Sequence, residues 1–467
     1  MTDAIKQSLR DKPAVRWTAL ILVAATMFFA YMFVDVLSPL KTQLEQQVNW
    51  SSTVFGSYGS SEFFINVFFG FLILAGIILD RMGVRFTAIL SGSLMLLGAL
   101  IKVYALSEVF NNGGFGYDML NSFSMGFPPS AKLACVGFAI FGCGCEMAGV
   151  TVSRAIVKWF HGKELALAMG LEMAIARLGV FAVFWTSPII SKQFEGTLQS
   201  VQVPVIFVTA LLFIGLILYG IYGILDKKLD REVQDANVEE EEPFRFKDLK
   251  QVFGNSMFWI VALLCVLYYS AIFPFQKFAT EMLQSNIGLT AEGAARIFSM
   301  FPLGAMVLTP FLGAFLDKVG KGATMLIVGA VLMFICHLTF AIFPFESGTT
   351  SSLAIAIAAI VVLGISFSLV PAALWPSVPK IIDPKVLGSA YSAIFFIQNI
   401  GLMVVPIVIG AILDTTNKGV AAGEPKNYTL AMLVFASFGI LAFILGILLK
   451  GADVKKGYGL ELPNIEK

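Results

Sequence analysis

Histidine occurs only twice in these 467 residues, and charged side chains make up only 13% of them. Two histidines are too few for a histidine-built metal centre. Soluble domains carry roughly 25% charged residues, so an ordinary soluble enzyme is excluded. The 32 Lys+Arg stand against 31 Asp+Glu, which leaves no basic excess to hold a nucleic-acid backbone. The five cysteines, Cys135, Cys143, Cys145, Cys265 and Cys336, are odd in number and set in apolar runs. They read as small buried side chains, not as a disulfide framework or a zinc site. No metal or cofactor is expected. No nucleophile–base constellation is visible, so an enzyme is not expected either.

Apolar residues are abundant, at 57% of the chain. At roughly 20–22 residues per crossing they would fill about twelve membrane helices. The runs fall at 15–39, 52–79, 84–106, 131–157, 164–190 and 203–225, then at 257–284, 291–316, 322–342, 352–379, 386–413 and 428–449. Lipid offers no partner to unpaired backbone groups, so each run is predicted to be helical. The runs are continuous and not alternating, which argues against a β-barrel. The expected fold is an all-α membrane protein of two six-helix bundles, 1–225 and 257–467, the second ending in a short tail. A polar cytoplasmic linker, 226–256, joins them and carries the acidic run Glu239 to Glu242.

The leader MTDAIKQSLRDKPAVRW enters an apolar segment too long for a cleaved signal peptide. Lysine and arginine gather on one set of loops: Arg81 and Arg85, Lys158 and Lys163, Lys318 and Lys321, Lys380 and Lys385, besides the leader, linker and tail. That bias predicts both termini in the cytoplasm. The plasma membrane of a prokaryote is the expected location, with the lipid bilayer and a small-molecule substrate as partners, no nucleic acid, and a monomeric chain.

Two segments repeat. GIILDRMGVRF (76–86) and GAFLDKVGKGA (313–323) share a G-x-x-x-D-(basic)-x-G pattern just after the second and eighth runs. KWFHGKELALAMGLEMAIARLG from Lys158 aligns without gaps on KIIDPKVLGSAYSAIFFIQNIG from Lys380, which sets Arg177 against Asn399. Such duplication is common in secondary transporters. Asp80 and Asp317 are placed to meet helix N-termini of the opposite half, near 386 and 164 respectively. Arg81, Arg85 and Lys318 flank them, so these residues are expected to gate the cytoplasmic side.

The doubled motif resembles the major facilitator superfamily. FVDVLSPLKTQL, SRAIVKWFHGKELALAMGLEMAIARLG, CVLYYSAIFPF and LWPSVP followed by LGSAYSAIFFIQNIGL are similar to its lysosomal dipeptide-transporter branch. There are departures. Phe138 stands where the superfamily often has arginine, Phe86 replaces a basic residue of the first motif, and Glu172 adds an acid. No E-x-x-E-R motif occurs in the first run, which separates the chain from the proton-coupled oligopeptide branch.

Ionisable residues at mid-membrane are costly and usually functional. Glu146 lies ~18 Å and Arg177 ~21 Å from the cytoplasmic ends of adjacent helices. They read either as a clamp on a zwitterion, with Arg177 holding a carboxylate in a two-pronged fashion, or as an ion pair that locks the two helices. The resemblance implies the clamp: in that branch an acid and an arginine at these positions hold the peptide termini. Tyr268 and Tyr269 lie ~16 Å into the seventh run. With Gln398 and Asn399 they are candidates to bond a peptide's central amide. Glu172 reads as a proton site or a partner of Arg154. Trp375 reads equally as an inner gate or an interfacial residue. Asp35, Glu62, Lys277 and Arg296 fall near the outer ends of the first, second, seventh and eighth runs and are expected to form an outer gate, whereas Lys102 is expected to snorkel. The chain thus reads as a secondary transporter of short peptides, dipeptides above all, working by alternating access. The alternative is transport of another organic anion or of drugs coupled to protons, with Arg177 as anion site and Glu146 as proton site. Coupling through Glu146, Glu172 or Asp35 and uncoupled transport fit the residues equally.

Overall fold

The computed structural model describes residues 9–122, 126–160, 163–233 and 246–463. The acidic run Glu239 to Glu242 lies outside them. Among the described residues the regular structure is helical throughout. In chain order the helices are α1 (Pro13–Asp35), α2 (Lys41–Val48), α3 (Ser52–Ser61), α4 (Phe64–Phe69), α5 (Phe71–Ala105), α6 (Glu108–Asn111), α7 (Tyr117–Asn121), α8 (Pro129–Phe160), α9 (Leu165–Lys192) and α10 (Gln199–Val233). The second half contributes α11 (Leu249–Gly254), α12 (Ser256–Ile287), α13 (Ala291–Val319), α14 (Gly322–Ile342), α15 (Thr350–Ile381), α16 (Leu387–Thr416) and α17 (Thr429–Lys456).

Most expected runs coincide with a helix to within a few residues. The run 52–79 does not form one rod. It is divided into α3, α4 and the start of α5, with Gly70 in the left-handed region at φ 60°. Gly83, at φ 77° and ψ 168°, then breaks α5 between the second and third expected runs. By length and apolarity alone, eleven of the described helical segments could cross a membrane. The segment 52–69 is too fragmented to qualify, and α5 counts once despite its break. At the other end of the first half, α10 runs to Val233, beyond its expected end at 225. Asp226 anchors the extension by accepting from Lys158 at 2.8 Å, Trp159 at 3.2 Å and Tyr222 at 3.2 Å.

Large apolar side chains such as Phe68, Phe69, Ile224 and Phe311 are exposed, as a lipid-facing surface requires. Both ends of the described chain lie on one face, here the terminal face. It carries Arg16 paired with Glu164, Arg85 with Asp230, and Lys450 with Glu461. At the opposite, far face, α3 packs on α16. The approach there is backbone to backbone. A Cβ on Gly56 would lie 2.1 Å from the Pro406 carbonyl oxygen, and one on Gly410 would lie 2.2 Å from that of Ser52. Neither glycine can be replaced without separating the halves there.

Candidate functional site

Glu146 lies near the middle of α8 and Arg177 near the middle of α9, and both are partly accessible. They are not paired with each other. A Glu146 carboxylate oxygen accepts from Asn399 Nδ2 of α16 at 3.4 Å. The Arg177 guanidinium rests 4.7 Å from the ring centre of Phe367 on α15, a favourable cation–π contact. Each of the two first-half charges therefore touches the second half, through a neutral partner. Tyr31 of α1 feels the charges of both, and of Glu172.

Consecutive helical residues diverge by about 100°, and this divides the other candidates. Tyr269 faces the centre: it feels the charge of Arg177, accepts from Trp375 Nε1 at 3.3 Å, and lies edge-on to Phe367. Tyr268 turns away and donates to the Leu326 carbonyl of α14, fully buried. Asn399 likewise faces Glu146, whereas Gln398 turns to α12 and accepts from Cys265 at 3.1 Å. Tyr268 and Gln398 thus serve packing within the second half. Trp375 stacks on Phe395 at 4.9 Å, so it belongs to the aromatic wall beside Tyr269. Arg154 pairs with Asp80 at 3.5 Å, and Glu172 stands half-buried on α9.

Of the expected cytoplasmic gate, Asp80 and Arg85 meet partners of their own half in this conformation. Asp80 meets Arg154 of its own half, not the N-terminus of α16. Arg85 pairs with Asp230 at 2.6 Å and Asp226 at 3.8 Å. Arg81 and Lys318 are exposed, and Asp317 is half-buried at the end of α13. The terminal-face ion pairs of Arg16 with Glu164, Arg154 with Asp80, Lys158 with Asp230, Lys163 with Asp11 and Lys450 with Glu461 each stay within one half.

At the far face the ion pairs do cross. Lys277 of α12 approaches Asp35 at 4.0 Å and Glu62 at 3.8 Å, and Gln276 donates to Asp35 at 2.5 Å. Arg296 does not reach this group. It pairs with Glu292 one turn away and lies 5.0 Å from the ring centre of Trp185. A second cross-half cluster was not singled out in the sequence. Lys41 meets Glu281 at 2.5 Å, and Lys426 bridges Glu281 at 3.3 Å and Glu45, with the Tyr428 hydroxyl also donating to Glu281. Burial alone would lower the Lys426 ammonium. The charges of Glu281 and Glu45 and their hydrogen bonds override it and hold Lys426 above the ordinary lysine range. Lys41 and Lys426 look like plain loop lysines. The one sequence signal was Glu281, a single turn beyond Lys277.

Asp414, at the far end of α16, caps the N-terminus of α3 across the halves. Its carboxylate accepts from Ser51 Oγ at 2.7 Å, Ser52 N at 2.9 Å and Thr53 N at 2.8 Å. Two otherwise orphaned backbone donors are satisfied there, at the positive end of the helix. Asp414→Ala is expected to weaken far-face closure by about 1–2 kcal/mol. Spin labels at Asn112 and Lys418, exposed in the far-face loops of the two halves, report this as a growing population of longer distances. An unchanged distribution would show that the cap contributes nothing to closure.

No group of three or more His, Cys, Asp or Glu side chains suited to a metal occurs among the described residues. Comparison with known proteins agrees with the architecture. The Major Facilitator Superfamily matches residues 23–282 and 276–461. The lysosomal dipeptide transporter MFSD1 of Danio rerio is 27% identical over 453 residues, covering 96% of this chain and 89% of that protein. MFSD1 of Homo sapiens is 26% identical, covering 86% and 81%. Among solved structures, the nucleoside transporter NupG superposes with a TM-score of 0.67 at 14% identity, over 92% of this chain and 99% of that one. The D-xylose-proton symporter gives 0.67 at 13%, over 93% and 97%. The matched residues span nearly the whole chain, both halves carry the motif, and the fold is shared with membrane transporters: this chain belongs to the major facilitator superfamily.

Proposed function

We propose that this transporter moves short peptides, dipeptides above all, and holds the peptide ammonium at Glu146 and the peptide carboxylate at Arg177. One observation carries the reading. Two opposite charges stand at mid-depth on adjacent helices, reachable and unpaired with each other, each touching only a neutral group of the second half. A helix-locking ion pair would consume both charges; here both remain available to a zwitterion. Because Asn399 and Phe367 belong to the second half, a ligand that displaces them acts directly on the contact between halves. Tyr269, and Tyr31 beyond the residues first considered, complete the wall. The similarity to dipeptide transporters supports the same substrate class.

On this reading the chain makes twelve crossings, with α5 counted as two at Gly83. The terminal face is cytoplasmic, in a prokaryotic plasma membrane. The far face is sealed by buried ion pairs while the centre stays partly accessible, so the conformation is open toward the cytoplasm. Closure there brings Asp80 to the N-terminus of α16, which has no side-chain cap now, and the two six-helix halves rock about the centre.

A thermal-shift screen of the purified chain tests the substrate class, since a ligand that binds the folded state raises its apparent stability. Dipeptides should stabilise, and free amino acids should stabilise little. N-acetylated dipeptides should lose the effect, because Glu146 then has no ammonium to hold. Equal stabilisation by N-acetylated peptides or simple organic anions would favour the organic-anion reading.

A further inference from the structure

The far-face ion pairs differ in how their charge divides when the halves part. In the outer latch, Lys41 and Glu45 belong to the first half and Glu281 and Lys426 to the second. Each half leaves with one positive and one negative charge. The deeper group divides otherwise. Asp35 and Glu62 belong to the first half and flank the ammonium of Lys277, which belongs to the second.

Lys102 enters this count. It does not snorkel. It is fully buried, and its ammonium has no hydrogen-bond partner. The ring centres of Phe33, Phe138 and Tyr58 surround it at 3.7, 4.2 and 5.1 Å. All three rings and Lys102 itself are in the first half, so this cation stays behind when Lys277 leaves. Its charge is felt by both Asp35 and Glu62. Counted as ionised, the closed group of two acids and two lysines is neutral. The opened first half keeps two acids and one lysine. Removing one partner of a buried ion pair is strongly unfavourable, and two carboxylates sharing a site disfavour joint ionisation.

We propose that Asp35 and Glu62 form a one-proton site that fills when the far face opens and empties when Lys277 returns. On opening, one proton passes from far-side water to a carboxylate oxygen of the pair and leaves the first half neutral. On closing, the ammonium takes the proton's place and the proton returns to water. One Glu62 oxygen, buried and without a hydrogen-bond partner, is the lone pair that receives it, and the buried Tyr58 hydroxyl, likewise without a partner, is free to hydrogen-bond there. The ring of Phe138, 5.5 Å from the Lys277 ammonium, borders the vacated position and offers it no oxygen ligand. The ionisable groups that face the site are Asp35 on α1, Tyr58 on α3, Glu62 between α3 and α4, Lys102 on α5 and Lys277 on α12. From α8 come Phe138, Cys135 and, further in, Glu146, whose charge reaches Glu62. The latch residues Lys41, Glu45, Glu281, Lys426 and Tyr428, with Asp414, form the layer outside. The proposal rests on the rocking of the two halves and not on the identity of the substrate.

The test needs no substrate. Purified full-length protein carries spin labels at Asn112 and Lys418, and the distance is followed from about pH 8 to about pH 5, where a shared carboxylate titrates. By linkage, whatever proton uptake accompanies opening must make acid favour opening. The wild-type distance should lengthen with acid, with the steepness of a single proton. Glu62→Gln and Asp35→Asn should each populate the long distance already at the alkaline end and flatten the pH response. Lys102→Met, which removes the balancing cation, should raise the steepness toward two protons. Should one carboxamide variant fail to fold, the other carries the same test. A flat wild-type response, or carboxamide variants that keep the wild-type profile, would overturn the proposal and leave any acid response to the outer latch.

Discussion

Arg177→Ala should reduce dipeptide uptake into proteoliposomes by roughly 10- to 150-fold, with the folded protein still recovered in normal yield. The estimate is the value of a charge-assisted hydrogen bond, about 1.5–3 kcal/mol. Arg177 supports no ion pair among the described residues and rests on a ring, so its loss leaves no carboxylate stranded. Glu146→Gln should act similarly on binding of the peptide ammonium, because the carboxamide keeps the contact with Asn399 but loses the charge. Arg177→Lys separates charge from geometry. It keeps the cation and discards the planar fork, so it should restore only part of the uptake. Wild-type uptake in the Arg177→Ala and Glu146→Gln variants would sink the clamp.

Glu281→Gln is the second large effect, and it falls on conformation. Glu281 is shared by Lys41, Lys426 and Tyr428 at a buried position. Neutralising it leaves two buried ammoniums with Glu45 as their only carboxylate in the cluster. Breaking a buried pair in this way costs about 3–5 kcal/mol, here charged to the far-face-closed state alone. The population should move by about two to four orders of magnitude toward the far-open form, seen as a longer distance between labels at Asn112 and Lys418. Adding Lys41→Met should recover part of the closed population, because it removes one of the uncompensated cations. A label distance identical to wild type, in protein that elutes as the wild type does, would show that the cluster does not latch the halves.

The two predictions concern residues of very different visibility. Glu146 and Arg177 stood out because charge inside an apolar run is rare and expensive, and their depth followed from a constant rise of ~1.5 Å per residue. Lys41, Glu45 and Lys426 did not stand out, because charge in a polar segment is ordinary and nothing local marks it as destined for burial. Azimuth was no easier. Tyr268 and Tyr269 are neighbours with the same chemistry, as Gln398 and Asn399 nearly are. Only packing decided which of each faces the centre, since a helix turned by one residue presents the other. Lys102 was expected to reach for the headgroups. Three rings of its own half instead close around it, and those rings come from α1, α3 and α8, distant in sequence.

By itself, then, the sequence determined the helical membrane fold, the duplicated motif and the family, because lipid forces every polar backbone group into a helix and a hydrophobic run of fixed length records that demand. Even there the run 52–79 hid its break at Gly70, where positive φ ends a helix that composition alone would continue. The tertiary structure decided how the halves meet. Asp80 sits on Arg154 of its own half while Asp414 caps α3 across the interface. Partner choice between equivalent charged groups depends on how the helices pack, and a linear pattern of residues carries no record of that.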